Sequence, residues 1–219
     1  VSTIRQLVSE SDGAVVVNVT PTTSSAAQSI IEAVTEAGGY VVTQWNKPAE
    51  LSPLDYTPNW VSHINYNGVT SGYEIALALF EAMGGSGNVV ALQGILDTTA
   101  AQQRYVGFEN ALDENPSINL LAEQPADFSR QKAQEVVEAW LAQYGDQIDG
   151  IWTANDNMGL GALEALRARG LAGEIPIVGV DGVSEAIQAI ADGEFAATAL
   201  QDAFWQGGVG LEIGHQALT

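Results

Sequence analysis

Apolar residues along the chain fall into short continuous runs separated by longer amphipathic stretches, and the two kinds alternate almost without interruption. Runs at 14–19, 40–45, 61–66, 88–94, 118–122, 151–154, 175–180 and 195–200 have the length and apolar content of buried strands. Between them, residues 1–11, 26–37, 72–83, 99–114, 130–144, 158–170, 184–191 and 204–218 place apolar side chains at helical spacing. The punctuation agrees: Gly38-Gly39 and Gly84-Gly85-Ser86-Gly87 follow two of these helices, and Asp149-Gly150 precedes a strand. Strands separated by one helix each imply parallel βαβ units with right-handed crossovers. The pattern predicts a doubly wound α/β protein with two similar halves, and by itself it places no domain boundary. One segment breaks the rhythm. Residues 46–59, with Pro48, Pro53 and Pro58, form a connection longer than usual and therefore a candidate functional loop.

Composition narrows the function classes. Of 219 residues, 46% are hydrophobic, enough for a substantial core. Seven basic residues face 27 acidic ones, a formal charge of −20, which opposes binding to nucleic acid or to an anionic lipid surface. There is no cysteine, so disulfides, thiol catalysis and Cys-based zinc sites are excluded. No apolar run approaches the length of a membrane span. The chain has no initiating Met or secretory signal and opens on Ile4, Leu7 and Val8 at helical spacing, from which we expect a fragment.

The stretch Ile151 to Gly170 is a complete strand, polar turn and helix. Asn155, Asp156 and Asn157 arrive where the strand should end, and such residues cap helices by accepting hydrogen bonds from the first free N–H groups. For Asp156 and Asn157 the cap is the favoured reading; Asn155, at the strand tip, is equally a candidate ligand contact. Polar and aromatic residues recur at the other strand ends: Asn18, Trp45, Asn46, Arg104 and Phe128 just before or inside following helices, Asp181 and Gln201. Amides, a carboxylate and a guanidinium are hydrogen-bonding partners for hydroxyl groups, and aromatic faces cover the C–H side of a sugar ring. The mix suits a neutral, hydroxyl-rich small molecule. Each residue also has a local reading: Asn18 as a turn residue, Trp45 as loop core, Asp181 as a helix cap. No catalytic or metal-binding set emerges. His63 and His215, the only histidines, lack a Ser, Asp or metal-ligand motif, and Gly84-Gly85-Ser86-Gly87 lacks the Lys of a phosphate loop.

At these positions the chain resembles the periplasmic sugar-binding proteins of the ribose-binding type, the solute receptors of bacterial ABC transporters. Ala154-Asn155-Asp156-Asn157-Met158-Gly159-Leu160-Gly161-Ala162-Leu163 is similar to that family's N-D-x-M-A-x-G-A-L segment. Leu92-Gln93-Gly94 followed by Ala100-Ala101-Gln102-Gln103-Arg104-Tyr105-Val106-Gly107-Phe108 resembles its Q-G and A-A-x-x-R-x-x-G-F stretch. Gln124-Pro125-Ala126-Asp127-Phe128, Val178-Gly179-Val180-Asp181-Gly182 and Ala196-Ala197-Thr198-Ala199-Leu200-Gln201 match further signatures in the same order. The resemblance spans essentially the whole chain.

It implies a type I periplasmic binding protein: two doubly wound parallel-sheet lobes joined by a hinge, here residues 1–66 plus 202–219 as an incomplete N-terminal lobe and 67–201 as the C-terminal lobe. Hinge points would fall at Tyr66-Asn67 and Gln201-Asp202. The resemblance implies a non-enzymatic receptor that closes over a neutral sugar or polyol in the periplasm and delivers it to a membrane permease, with no cofactor and no nucleic-acid partner, monomeric when complete. Arg104, Asn155 and Asp181 would hydrogen-bond the hydroxyls, Gln201 would do so beside a hinge crossing, Phe128 would stack, and Asn18 would contribute from the first lobe. Where the ribose receptor has an Asp-Arg pair, this chain has Trp45-Asn46, which points away from ribose towards another pentose, a hexose or a polyol. The effector domains of lactose-repressor-type regulators share the fold and bind sugars, and they form the alternative.

Overall fold

The computed structural model describes residues 1–219 and divides into two compact units. The first comprises Val1–Tyr66, Asp97–Ala100 and Asp202–Thr219, and the second Asn67–Leu96 and Ala101–Gln201. The four residues 97–100, ending in the first turn of a helix, fall to the first unit rather than to the 67–201 lobe expected for them.

In the first unit, β1 (Val16–Val19), β2 (Tyr40–Gln44) and β3 (Trp60–Ile64) form a parallel sheet in the order β1-β2-β3. Helix α1 (Ser2–Glu10) packs on α2 (Ser24–Glu36). Thr23 caps α2 by accepting from Ala26 N, and Ala27, Ile31 and Val34, at i, i+4 and i+7, bury one stripe of it with Val8, Val41 and Trp60. Gly38, at φ 84°, ends that helix. The Pro-rich loop is partly ordered by a single 3-10 turn at Pro53–Tyr56, held by a capping box between Ser52 and Asp55. Inside the sheet, the Thr43 hydroxyl accepts from Trp60 Nε1 at 2.9 Å and meets His63 Nδ1 at 2.9 Å. Burial holds His63 down at about pKa 4, so it is a neutral part of the sheet at pH 7. The last helix, which becomes α8 (Ala203–Gln216) in chain order, lies on all three strands and leaves Phe204, Trp205 and Leu211 exposed.

The second unit is a five-stranded parallel sheet in the order β5-β4-β6-β7-β8: β4 (Gly87–Gln93), β5 (Ile118–Pro125), β6 (Gly150–Thr153), β7 (Ile177–Asp181) and β8 (Ala197–Leu200). Its helices are α3 (Gly68–Ala82), α4 (Thr99–Glu114), α5 (Arg130–Tyr144), α6 (Asp156–Arg169) and α7 (Ser184–Ala191). Helix α3 begins four residues before the periodicity suggests. Asn67 Oδ1 accepts from Thr70 N, so the cap carries Gly68 and Gly72 into the helix despite their low propensity. The core is continuous through the sheet, with Trp152 stacked on Phe108 at 4.8 Å and fully buried.

Two glycines let α3 and α4 cross backbone to backbone. A Cβ on Gly72 would lie 1.9 Å from the Arg104 carbonyl oxygen, and one on Gly107 would lie 2.1 Å from the Val69 carbonyl oxygen. Both obstacles are main chain, which cannot rotate aside. Ion pairs are mostly superficial: Arg130 with Glu164 and Glu185, Lys132 with Asp127, Arg167 with Glu194, and Arg5 with Glu36. Such solvent-exposed pairs contribute little to stability. Gly72→Ala should therefore be costly where loss of a surface pair is not: urea denaturation of the full-length protein should show a loss of about 1–3 kcal/mol. Wild-type stability in that variant would show that the two helices can separate freely.

Candidate functional site

Winding of the second sheet reverses between β4 and β6, since β5 lies to one side of β4 and β6, β7 and β8 to the other. Open α/β sheets bind ligands at the carboxyl ends of strands beside such a reversal. Four of the candidate residues meet there. Arg104, on α4 and only 3% exposed, donates from Nη1 to the Ala154 carbonyl oxygen at 2.6 Å. Its Nη2 reaches Asp181 Oδ1 at 3.3 Å and the Gln201 side-chain oxygen. Asn155 Nδ2 donates to the other Asp181 oxygen at 3.4 Å. Gln201 N donates to the Asp181 carbonyl oxygen, and Gln201 Nε2 to Ser71 Oγ at 3.0 Å.

The two readings of Asn155 turn out to be compatible. Its Oδ1 caps α6 by accepting from Met158 N at 3.0 Å, while its amide nitrogen holds Asp181. The cap reading of Asp156 is overturned. Asp156 is the first helical residue, is fully buried, and accepts instead from Gly182 N, Val183 N and Thr198 Oγ1. Asp181 is no cap either, because the N-cap of α7 is Val183. Asp181 closes β7 at φ 126°, a region that side-chain-bearing residues rarely occupy. Phe128 lies in the turn between β5 and α5 at φ 57°, with its ring against Gly94 at the end of β4.

Burial pushes the Asp181 carboxyl up to about 6; the Arg104 charge works against that shift and the like charge of Asp156 adds to it. Burial likewise raises Asp156, against the hydrogen bonds of Thr198, Val183 and Gly182. Arg104 is lowered by burial and supported by Asp181. The carboxylate of Asp181 has acceptor capacity beyond its two protein partners, and about a third of its side chain is exposed. Directional donors and acceptors are held rigidly, which is the chemistry of recognition.

In the first unit the candidates are placed differently. Asn18 donates to the Gly207 carbonyl oxygen at 2.9 Å and accepts from Gln44 Nε2 at 2.6 Å, so it ties β1 and β2 to α8. Asn46 is 7% exposed; its Nδ2 donates to the Pro21 carbonyl oxygen, and its Oδ1 is buried without a partner. Trp45, at φ 64°, sets its ring 5.6 Å from that of Tyr66. Sequence reading missed Gln44 and Gln206, both buried, with Gln206 Nε2 donating to the Ile64 carbonyl oxygen. The available signal was an amide at a strand end and another inside an apolar helix. It also missed Ser71 and Thr198, for which no local signal exists. A separate groove of about 730 Å³ between α3 and α4, with Tyr73, Glu74, Asp113 and Glu114 on its walls, includes none of the candidate residues.

A family model described as a periplasmic binding protein domain matches residues 1–219. The xylitol-binding protein of Mycolicibacterium smegmatis is 35% identical over 157 residues, 72% of this chain and 45% of that protein. The ribose import binding protein RbsB of Haemophilus influenzae is 37% identical over 160 residues, 73% of this chain and 53% of that protein. The chain thus spans about half the length of the curated relatives it matches. Among solved structures, a twin-arginine translocation pathway signal protein from Burkholderia phytofirmans superposes with a TM-score of 0.96 at 48% identity, covering 99% of this chain and 67% of that one. The parallel sheets are those of a type I periplasmic binding protein. The chain belongs to the periplasmic binding protein domain family, a family of binding proteins and not of enzymes.

Proposed function

We propose that the protein containing this chain is a solute-binding receptor that captures a neutral sugar or polyol in the periplasm and delivers it to the permease of an ABC transporter. The observation that carries the reading is the cluster of Arg104, Asn155, Asp181 and Gln201 at the carboxyl ends of β6, β7 and β8. One guanidinium, one carboxylate and two amides supply both donors and acceptors, as each hydroxyl of a polyol requires. Similarity to proteins named for xylitol and for ribose supports the same solute class.

Arg104, Asn155, Asp181 and Gln201 are the proposed hydrogen-bonding contacts of the second unit, with Phe128 as a ring face. Trp45, Asn46 and Asn18 are the proposed contacts of the first. Asn46 Nδ2 is engaged by the Pro21 carbonyl oxygen, while its Oδ1 has no protein partner. Asn18 has both ends of its amide engaged within the first unit, by the Gly207 carbonyl oxygen and by Gln44. The indole and amide at 45–46 favour a pentose other than ribose, a hexose or a polyol over ribose itself.

A thermal-shift screen of the full-length protein against neutral sugars, polyols, amino acids and anionic sugars tests the reading. A ligand at one hundred times its Kd should add about 2.7 kcal/mol to stability and raise Tm. Silence across the neutral solutes, with a shift for a charged one, would overturn it. Calorimetry should then find affinity weakened by about ten-fold to a hundred-fold in Asp181→Ala, from loss of a charged hydrogen bond. Wild-type affinity in that variant would remove Asp181 from the site.

The Asp181 pKa near 6 gives a further expectation with opposite signs for binding and folding. Ligand hydroxyls donate to the ionised carboxylate, so affinity should be level above about pH 7 and fall as pH drops through 6, by at most about ten-fold per pH unit. In the unliganded fold the pKa lies above its ordinary value of 3.8, so the contribution of Asp181 to stability is present below about 3.8 and lost as pH rises through 6. His63, held near 4, runs the other way over the same range, so stability is read as the difference between wild type and Asp181→Asn. A binding profile in wild type that matches the profile of Asp181→Asn would contradict the assignment.

A further inference from the structure

Asp181 carries the strain of its site in the backbone. At φ 126° it is followed by Gly182 at φ 75°, and a side-chain-bearing residue persists in such a strained region only where its surroundings over-determine it. Much of that hold on the backbone comes from one residue. Asp156 Oδ2 accepts from Gly182 N at 2.8 Å and from Val183 N at 2.9 Å, the two peptide groups that follow Asp181. Asp156 Oδ1 accepts from Thr198 Oγ1 at 2.7 Å, and that hydroxyl accepts in turn from Gly182 N at 3.2 Å. Thr198 pairs with Gly179 across the β7–β8 ladder. Gly179 leaves the room for this arrangement, since a Cβ there would stand 2.4 Å from Asp156 Oδ1.

The chemistry of this grip requires an acid. Three donors converge on two oxygens inside the protein, and only a carboxylate offers acceptors at both positions with no hydrogen of its own. A buried charge is tolerated when its hydrogen bonds are made, and here they are. The neighbouring residue acts on the same target from the other side, as Asn155 Nδ2 holds the Asp181 carboxylate itself.

We propose that Asp156 is a positioning residue of the binding cluster: its buried carboxylate grips the backbone of Gly182 and Val183 and the Thr198 hydroxyl, and so fixes Asp181 in the conformation that holds its carboxylate on Arg104 and Asn155. The inference rests on the sugar- or polyol-binding reading for its ligand measurements and stands apart from it for its structural one.

The experiment uses the full-length protein and whichever of D-ribose, xylitol, D-allose, L-arabinose and myo-inositol stabilises the wild type most. Calorimetry should show Asp156→Asn weakened by about ten-fold or more, because a donor replaces one of the acceptors. Placed on Asp181→Ala, the same change should cost nothing further, since its effect passes through the Asp181 side chain; a residue that merely supports the fold would lower affinity equally in both backgrounds. Thr198→Val should follow Asp156→Asn, and Thr198→Ser should bind as wild type. Should Asp156→Asn fail to fold, the Thr198 pair carries the same comparisons. A crystal structure of the unliganded Asp156→Asn or Thr198→Val protein reads positioning directly. Asp181 leaving positive φ and its carboxylate leaving Arg104 would support the proposal, and an unmoved Asp181 would overturn it. Wild-type affinity in Asp156→Asn, or independent losses in the double variant, would also overturn it. If no member of the panel binds the wild type, the sugar-binding reading falls while the crystal structure still decides the role of Asp156.

Discussion

A guanidinium that has lost its water must be surrounded by acceptors, and the second unit is arranged around meeting that demand for Arg104. The cost of leaving such a cation unsatisfied is several kcal/mol, more than most single contacts return. Its acceptors come from the ends of three neighbouring strands: Ala154 after β6, Asp181 closing β7 and Gln201 after β8. None of these is reachable unless α4 lies close to the sheet. That approach depends in turn on Gly72 and Gly107, where α3 and α4 touch main chain to main chain. A packing constraint in the helices thereby becomes an electrostatic arrangement at the strand ends.

The dipeptide Asn155-Asp156 shows how little chain such an arrangement needs. One side chain caps its own helix and holds the Asp181 carboxylate, and the next holds the peptide groups beyond it. The strand end is clasped by both its side chain and its backbone, from adjacent positions on a single helical turn. The amides of the first unit do comparable work inside that unit, with Gln44, Asn18 and Gln206 linking the strands to α8.

The alternation of strands and helices was legible because each buried face repeats at its own period, as in Ile31 and Val34 on α2. So was the recurrence of Asn155, Asp181 and Gln201 at strand ends, since a polar residue closing an apolar run is a local signal; Arg104, inside α4, was read from its place in a helix that follows a strand. What could not be read locally was long-range. The partners of Asp156 lie 26, 27 and 42 residues away, so a local rule made it a cap. Asn18 sits at a strand end like the others, yet α8, arriving 189 residues later at Gly207, engages its amide. The start of α3 was missed for a different reason: two glycines lower helix propensity, and packing against α4 overrides it.

Five of the seven basic residues are committed to ion pairs, and Lys47 is turned onto the carbonyl oxygens of Pro48 and Leu51. Little positive charge is left to offset 27 acids, and the chain carries a formal charge of −20, the source of a negative potential. At physiological salt that potential extends about 8 Å into solution. An uncharged solute feels no such repulsion, whereas an anion is opposed before it makes contact with a surface of this charge. The net charge of the chain thus acts in the surrounding water, at the stage of encounter, ahead of any hydrogen bond made to the chain.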